Sequence, residues 1–146
     1  MSGAEVRWEH FRHGADIGVR GLGRTREQAF EQAALALAAV VAEPARIREA
    51  ESVELSCAAP DAELLLVDFL NALIYQMATR RLLFGRVEVH MQQTADALRL
   101  EARAWGEAVD VARHEPAVEV KGATLTALAV APDAGGGWLA QCVVDV

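Results

Sequence analysis

The sequence predicts an α+β domain, an antiparallel or mixed sheet with two main helices packed on it. Three observations lead there. Two stretches in the first half repeat apolar residues at helical spacing, and most of the remainder alternates apolar and polar residues with a period of two. Strand patterns gather towards the end instead of alternating with helices, which argues against a doubly wound parallel sheet. At 146 residues the chain has the size of one domain, without internal repeat or linker, and residues 1–6 are expected to form an N-terminal tail.

In chain order, strands fit on either side of a loop around Gly14. Thr25 followed by Gln28 three residues on is a capping-box start, since the hydroxyl can accept the third amide and the glutamine can reach back. Ala29, Phe30, Ala33, Ala34, Leu37, Val40 and Val41 then share one helical face, and Pro44 ends the helix. So small-sided a stripe implies close seating on a sheet. Val53, Leu55 and Cys57 alternate with Ser52, Glu54 and Ser56 as a strand. A second helix opens at Pro60-Asp61, with Asp61 as N-cap. Its stripe is Leu66, Phe69, Leu70, Leu73, Ile74 and Met77, widened by Leu64, Leu65 and Val67, which implies cover on more than one side. Arg80 and Arg81 suit the negative end of its dipole. Two half-buried antiparallel strands follow, around Val87, Val89, Met91 and Leu98, Leu100, Ala102, joined through residues 93–97. Strands over residues 123–130 and 138–146, with a glycine-rich turn over 132–137, complete the chain.

Apolar residues make up 53% and charged residues 24%, enough for a packed core. Fourteen Lys+Arg against 21 Asp+Glu leave a net charge of −7, which argues against gripping nucleic-acid phosphates and for solubility, cation binding or a basic protein partner. No run approaches the roughly 20 apolar residues that cross a bilayer, and Met1 to Glu5 lacks the order of a signal peptide. Cys57 and Cys142 read as buried reduced thiols. The expectation is a cytoplasmic protein with neither membrane contact nor strong direct nucleic-acid binding.

Three polar clusters exceed what patterning requires: residues 10–16, residues 106–121, and Asp145 inside the last apolar strand. Asp145 beside the α-carboxylate of Val146 places two like charges together, which calls for a cation or donors unless the end is simply frayed in water. The functional reading is an oxygen-rich site for a hard divalent cation, with Asp16 delivered from the first loop. His10, His13 and Asp16 mimic zinc spacing, yet on a strand the two histidines point to opposite faces. His114 reads as a loop histidine bonding locally or as part of a site. Glu119 and Lys121 read as a solvated ion pair or as charges steadying a carboxylate cluster or touching a partner. Gly18, Gly21 and Gly23 make no dinucleotide fingerprint, because Arg26 stands where a third glycine is needed. Arg80, Arg81 and Arg86 lack the interleaved aromatics that stack bases.

Together these clusters resemble the archease family, protein cofactors of RtcB-type RNA ligases. The opening pattern corresponds to Trp8-Glu9, His13-Gly14-Ala15-Asp16-Ile17-Gly18, and the first helix start to Thr25, Glu27, Ala29 and Phe30. The middle helix corresponds to Leu65-Leu66, Phe69-Leu70-Asn71, Leu73-Ile74-Tyr75. Gly106-Glu107, Asp110, His114 and Glu119-Val120-Lys121 follow, then Trp138, Ala140 and Asp145-Val146. Gly14 replaces the family's usual threonine and Gly122 an alanine, while Leu125-Thr126 stands where Tyr-His is common.

The resemblance implies a non-enzymatic activator. It implies a divalent cation, calcium foremost with magnesium or manganese as alternatives, held by Asp16, Asp145 and Val146. It also implies a surface of Lys121, His13, His114 and Glu119 facing an RtcB-type ligase in tRNA splicing or RNA repair. That ligase guanylylates its own histidine from GTP, the step an archease promotes together with multiple turnover. The rival reading from the same residues is a small metal-dependent hydrolase or phosphatase with His13 or His114 as base; a general interaction module is a third.

Overall fold

The computed structural model describes residues 5–146. Of the tail expected over residues 1–6, residues 1–4 lie outside the described residues; Glu5 and Val6 are exposed and belong to no element. Strand β1 (Arg7–His13) turns into β2 (Asp16–Gly23) through Gly14-Ala15. Gly14 takes φ +59° while Ala15 does not turn positive, the pattern of a two-residue hairpin with glycine leading.

Helix α1 (Arg26–Val41) starts as its capping residues dictate: Thr25 Oγ1 accepts the Gln28 N–H at 3.1 Å. The returning Gln28 carbonyl accepts from Arg24 N–H at 2.9 Å, one residue before the cap. The helix seats on β2 so closely that a Cβ on Gly21 would collide with Ala29 O and Ala33 N. Gly21 and Gly23 therefore serve helix–sheet contact. A short 3₁₀ turn at Pro44–Arg46 leads to β3 (Glu51–Ala59). Helix α2 (Ala62–Arg80) is capped by Asp61, whose Oδ1 accepts the Leu64 N–H at 2.8 Å. Strands β4 (Leu82–Gln93) and β5 (Leu98–Ala108) form the expected hairpin. A one-turn helix α3 (Val111–His114), β6 (Gly122–Ala123), β7 (Ala129–Pro132) and β8 (Trp138–Asp145) complete the chain.

All pairings are antiparallel. One sheet runs β1-β2-β8-β6 with β7 also on β8; the other runs β3-β5-β4. Both helices touch strands of both sheets and form a layer between them. The core fills that layer, with Phe30, Leu37, Leu65, Leu66, Phe69, Leu70 and Leu73 fully buried. Helix α2 has the length, 19 residues, and the mean hydropathy, 1.2, of a bilayer-crossing segment, but its Leu65, Leu66, Phe69, Leu70, Leu73 and Ile74 are buried in this core. Its cover on several sides still leaves one stripe, Leu64, Asp68, Asn71, Tyr75 and Ala78, open to solvent. The far face of the three-stranded sheet is polar: Arg103 pairs with Glu54, and the Arg86 guanidinium lies 4.2 Å above the Trp105 ring.

The single strand expected over residues 123–130 is two. After Ala123 the Thr124 hydroxyl donates to Val143 O at 2.8 Å, Ala127 takes φ +54°, and Leu125 is left 63% exposed. The chain leaves the sheet there and rejoins it at Ala129. Both cysteines are free; burial pushes the Cys142 thiol up to about 11 and Cys57 upward as well.

Two glycines give a graded stability test in urea unfolding. Gly21→Ala forces a methyl into the α1 backbone and is expected to cost about 3 kcal/mol. Gly14→Ala meets nothing within 4 Å and is strained only by its positive φ, so about 1 kcal/mol is expected.

Candidate functional site

Strand register decides where the two ends of the chain meet. The β2–β8 pairing ends with Ile17 opposite Val144, and Asp16 and Asp145 are the next residues along the two strands. His13 pairs with Asp16, and Gly122 pairs with Asp145. A row His13, Asp16, Asp145, Gly122 thus crosses the end of the five-stranded sheet. Cross-strand partners share a face, with Cβ atoms about 4.5–5.5 Å apart.

That face is the one turned away from α1. Residues of the same parity further along are Glu9, Arg20 and Gln141; Arg20 pairs with Glu9 and its Nε donates to Gln141 Oε1 at 2.7 Å. Residues of the other parity, Val19, Ala140, Cys142 and Val144, are buried in the core. His10 belongs to that inner set and its Nε2 lies 2.7 Å from Ala36 O, so His10 and His13 do not form a zinc pair.

Asp16 is half-buried and Asp145 exposed, and neither joins an ion pair among the described residues. Like charges on neighbouring strands repel, so this end of the sheet favours a counter-cation. The donors are carboxylate oxygens, the set a hard divalent ion takes. Among the described residues, no three His, Cys, Asp or Glu side chains form a metal cluster by themselves. Val146, which follows Asp145, packs half-buried against the core. Within those limits the residues fit a cation that keeps part of its water shell.

Lys121 reaches the row through its backbone, its N–H donating to Asp145 O at 2.8 Å; its side chain is exposed, as is that of Glu119. The two make no ion pair with each other among the described residues. The family-pattern departures have local meanings. Gly14 permits the positive φ of the β1–β2 turn, which a threonine resists, and a Cβ on Gly122 would meet only Asn71 Oδ1 at 3.6 Å.

His114 does not belong to a partner surface: it is 3% exposed. Asp110 caps α3 by accepting the Arg113 N–H at 3.2 Å, and the turn it starts aims the imidazole inward. There His114 Nδ1 accepts the Asp110 N–H at 2.8 Å, which leaves Nε2–H to donate to Glu107 Oε2 at 3.1 Å. Glu107 also accepts the Arg48 N–H at 2.7 Å and pairs with Arg113. The Arg48 amide above all, then Arg113 and His114, hold the Glu107 carboxyl down to about 2. Glu107 and His114, both buried, form with half-buried Arg113 a clasp tying β5, α3 and the segment before β3.

Sequence reasoning missed Asn71 as a tie to this region. Its Oδ1 accepts the Ala123 N–H at 2.9 Å and its Nδ2 faces Ala123 O at 3.5 Å. The signal was an amide inside an otherwise apolar helical stretch.

The family model described as Archease protein family (MTH1598/TM1083) matches residues 8–146. A protein archease from Thermococcus gammatolerans is 41% identical over 140 residues, covering 96% of this chain and 99% of the relative. One from Methanosarcina barkeri is 33% identical over 147 residues, with both chains fully covered. The solution structure of Methanobacterium thermoautotrophicum protein 1598 superposes with a TM-score of 0.83 at 30% identity, over 95% of this chain and 98% of that one.

The clasp carries a pH signature. Because the folded carboxyl of Glu107 sits near 2, below its ordinary 4.5, its contribution is complete above 4.5 and is lost as pH falls towards 2. Glu107→Gln is therefore expected to lower Tm at neutral pH, and the gap from the parent protein should close as melts are run from pH 4.5 down to 2.

Proposed function

The chain belongs to the archease family, and from that premise we propose that it is a cytoplasmic, metal-binding protein cofactor that activates an RtcB-type RNA ligase. In this reading it promotes guanylylation of the ligase histidine and multiple turnover, in tRNA splicing or RNA repair. Asp16, Asp145 and the Val146 carboxylate hold a divalent cation, calcium foremost, with magnesium or manganese as alternatives. His13, Lys121 and Glu119 complete the ligase-facing surface; buried His114 is left out of it.

The observation that supports the reading is the presence of two carboxylates, Asp16 and Asp145, just past the end of the β2–β8 pairing, neither in an ion pair among the described residues. Two clefts of about 480 and 440 Å³ lie elsewhere, one on the far face of the three-stranded sheet and one between the end of α2 and residues 116–120. Neither is lined by Asp16 or Asp145. A charged sheet edge lying apart from both clefts suits presentation to a protein better than enclosure of a small substrate. The cation, when bound, would supply a fixed positive centre between the carboxylates. The row then meets the ligase as one rigid charge pattern and helps guanylate and ligase metals reach productive geometry. A net charge of −7 repels RNA and steers the protein towards a basic RNA-binding enzyme.

The assay combines the protein with a paired RtcB-type ligase, GTP and limiting divalent metal, and follows guanylylated ligase. Faster guanylylation is expected, and no acceleration at any ratio rejects the proposal. Asp145→Ala is expected to remove the acceleration by about tenfold or more, the effect of losing one strong charged contact, with circular dichroism and Tm near those of the parent.

A further inference from the structure

We propose that Asn71, on the open stripe of α2, is a positioning residue for the acidic row, fixing strand β6 and through it Lys121 and Asp145. The inference rests on the reading of the row given above. Strand β6 is two residues long and lies at the edge of its sheet. An edge strand leaves backbone donors and acceptors without a neighbour. At Ala123 the Asn71 side chain takes the neighbour's place, accepting the N–H at 2.9 Å and setting Nδ2 3.5 Å from the carbonyl. One planar amide thus imitates the peptide group of an adjoining strand.

The consequence travels one residue along β6. Gly122 pairs with Asp145, and the Lys121 N–H donates to Asp145 O at 2.8 Å. Thr124 anchors the other side through its hydroxyl on Val143 O. So short a strand has few ties, and among the described residues Asn71 is the side chain that hydrogen-bonds to it from outside the sheet. The support is firm: Leu70, Leu73 and Ile74, beside Asn71 on α2, are buried in the core and fix the helix beneath it. Helix formation does not call for asparagine at an exposed position, because it is a poor helix former there. The contact with Ala123 accounts for it.

The test compares Asn71→Ala and Asn71→Asp in the full chain, by amide hydrogen exchange and by calorimetric titration with calcium alone. Asn71→Ala should speed exchange at Ala123 and Lys121 about fivefold, the effect of one hydrogen bond, and weaken calcium binding several-fold. Exchange at Val19 and Leu70 in the core should not change. Asn71→Asp keeps the acceptor for the Ala123 N–H but turns a second oxygen towards the Ala123 carbonyl, so it should restore part of the protection and leave exchange at Ala123 slower than in Asn71→Ala. Unchanged exchange at Ala123 in Asn71→Ala, or calcium binding within about twofold of the parent, overturns the positioning role. Asp145→Ala, titrated in parallel, separates the two ideas. If it loses calcium while Asn71→Ala keeps it, the positioning role is wrong and the site's reading stands. If Asp145→Ala binds calcium like the parent, the site's reading fails and this inference fails with it.

Discussion

The pairing of β2 with β8 is the contact on which the rest depends. It joins the first hairpin to the last strand, closes the five-stranded sheet over α1, and sets Ile17 against Val144. The register has no slack, because a shift of one residue would turn Val19, Cys142 and Val144 out of the core and Arg20 into it. Gly21 makes the same demand from the other side, since only a residue without a side chain lets the α1 backbone settle on β2. Packing of the apolar face therefore fixes Asp16 and Asp145 as the residues just past the last β2–β8 pair, on the polar face. Neither joins an ion pair among the described residues.

Two groups of polar residues look alike in the sequence and differ in kind. In the first group Glu107 and His114 are buried with Arg113 half-buried beside them, and each of its polar atoms described above meets a partner, as buried polar groups require. It behaves as a fastening for irregular backbone between β5 and β6. The row at the sheet end is the reverse: short of partners within the chain, accessible, and made of like charges. Unsatisfied charge at an accessible place suits a site, and satisfied charge in the interior suits scaffolding.

Much of this was legible in advance because it follows from local chemistry. Thr25 and Asp61 begin the two helices through bonds their side chains can hardly avoid, and the small face of α1 announced its close seating. The antiparallel hairpin of β4 and β5 follows from alternation alone. What alternation does not encode is where an edge strand stops: residues 123–130 keep their pattern while Thr124 and Ala127 lead the chain off the sheet. His114 was misplaced for a related reason. Spacing gives the turn that Asp110 starts, but the inward aim of its last side chain depends on Glu107 and Arg48, brought there by tertiary packing. Asp16 and Asp145 stood out by charge, while their places just past the end of the β2–β8 pairing come only from the sheet.

Placing both helices between two sheets has a practical consequence. The exposed surface of β3, β4 and β5, with Arg103 on Glu54 and Arg86 over Trp105, is separated from the row by the whole helical layer. Changes made at such separations add nearly independently. That surface is a natural place for a fluorophore, an affinity handle or attachment to a sensor chip, leaving the business end of the molecule untouched and facing solution.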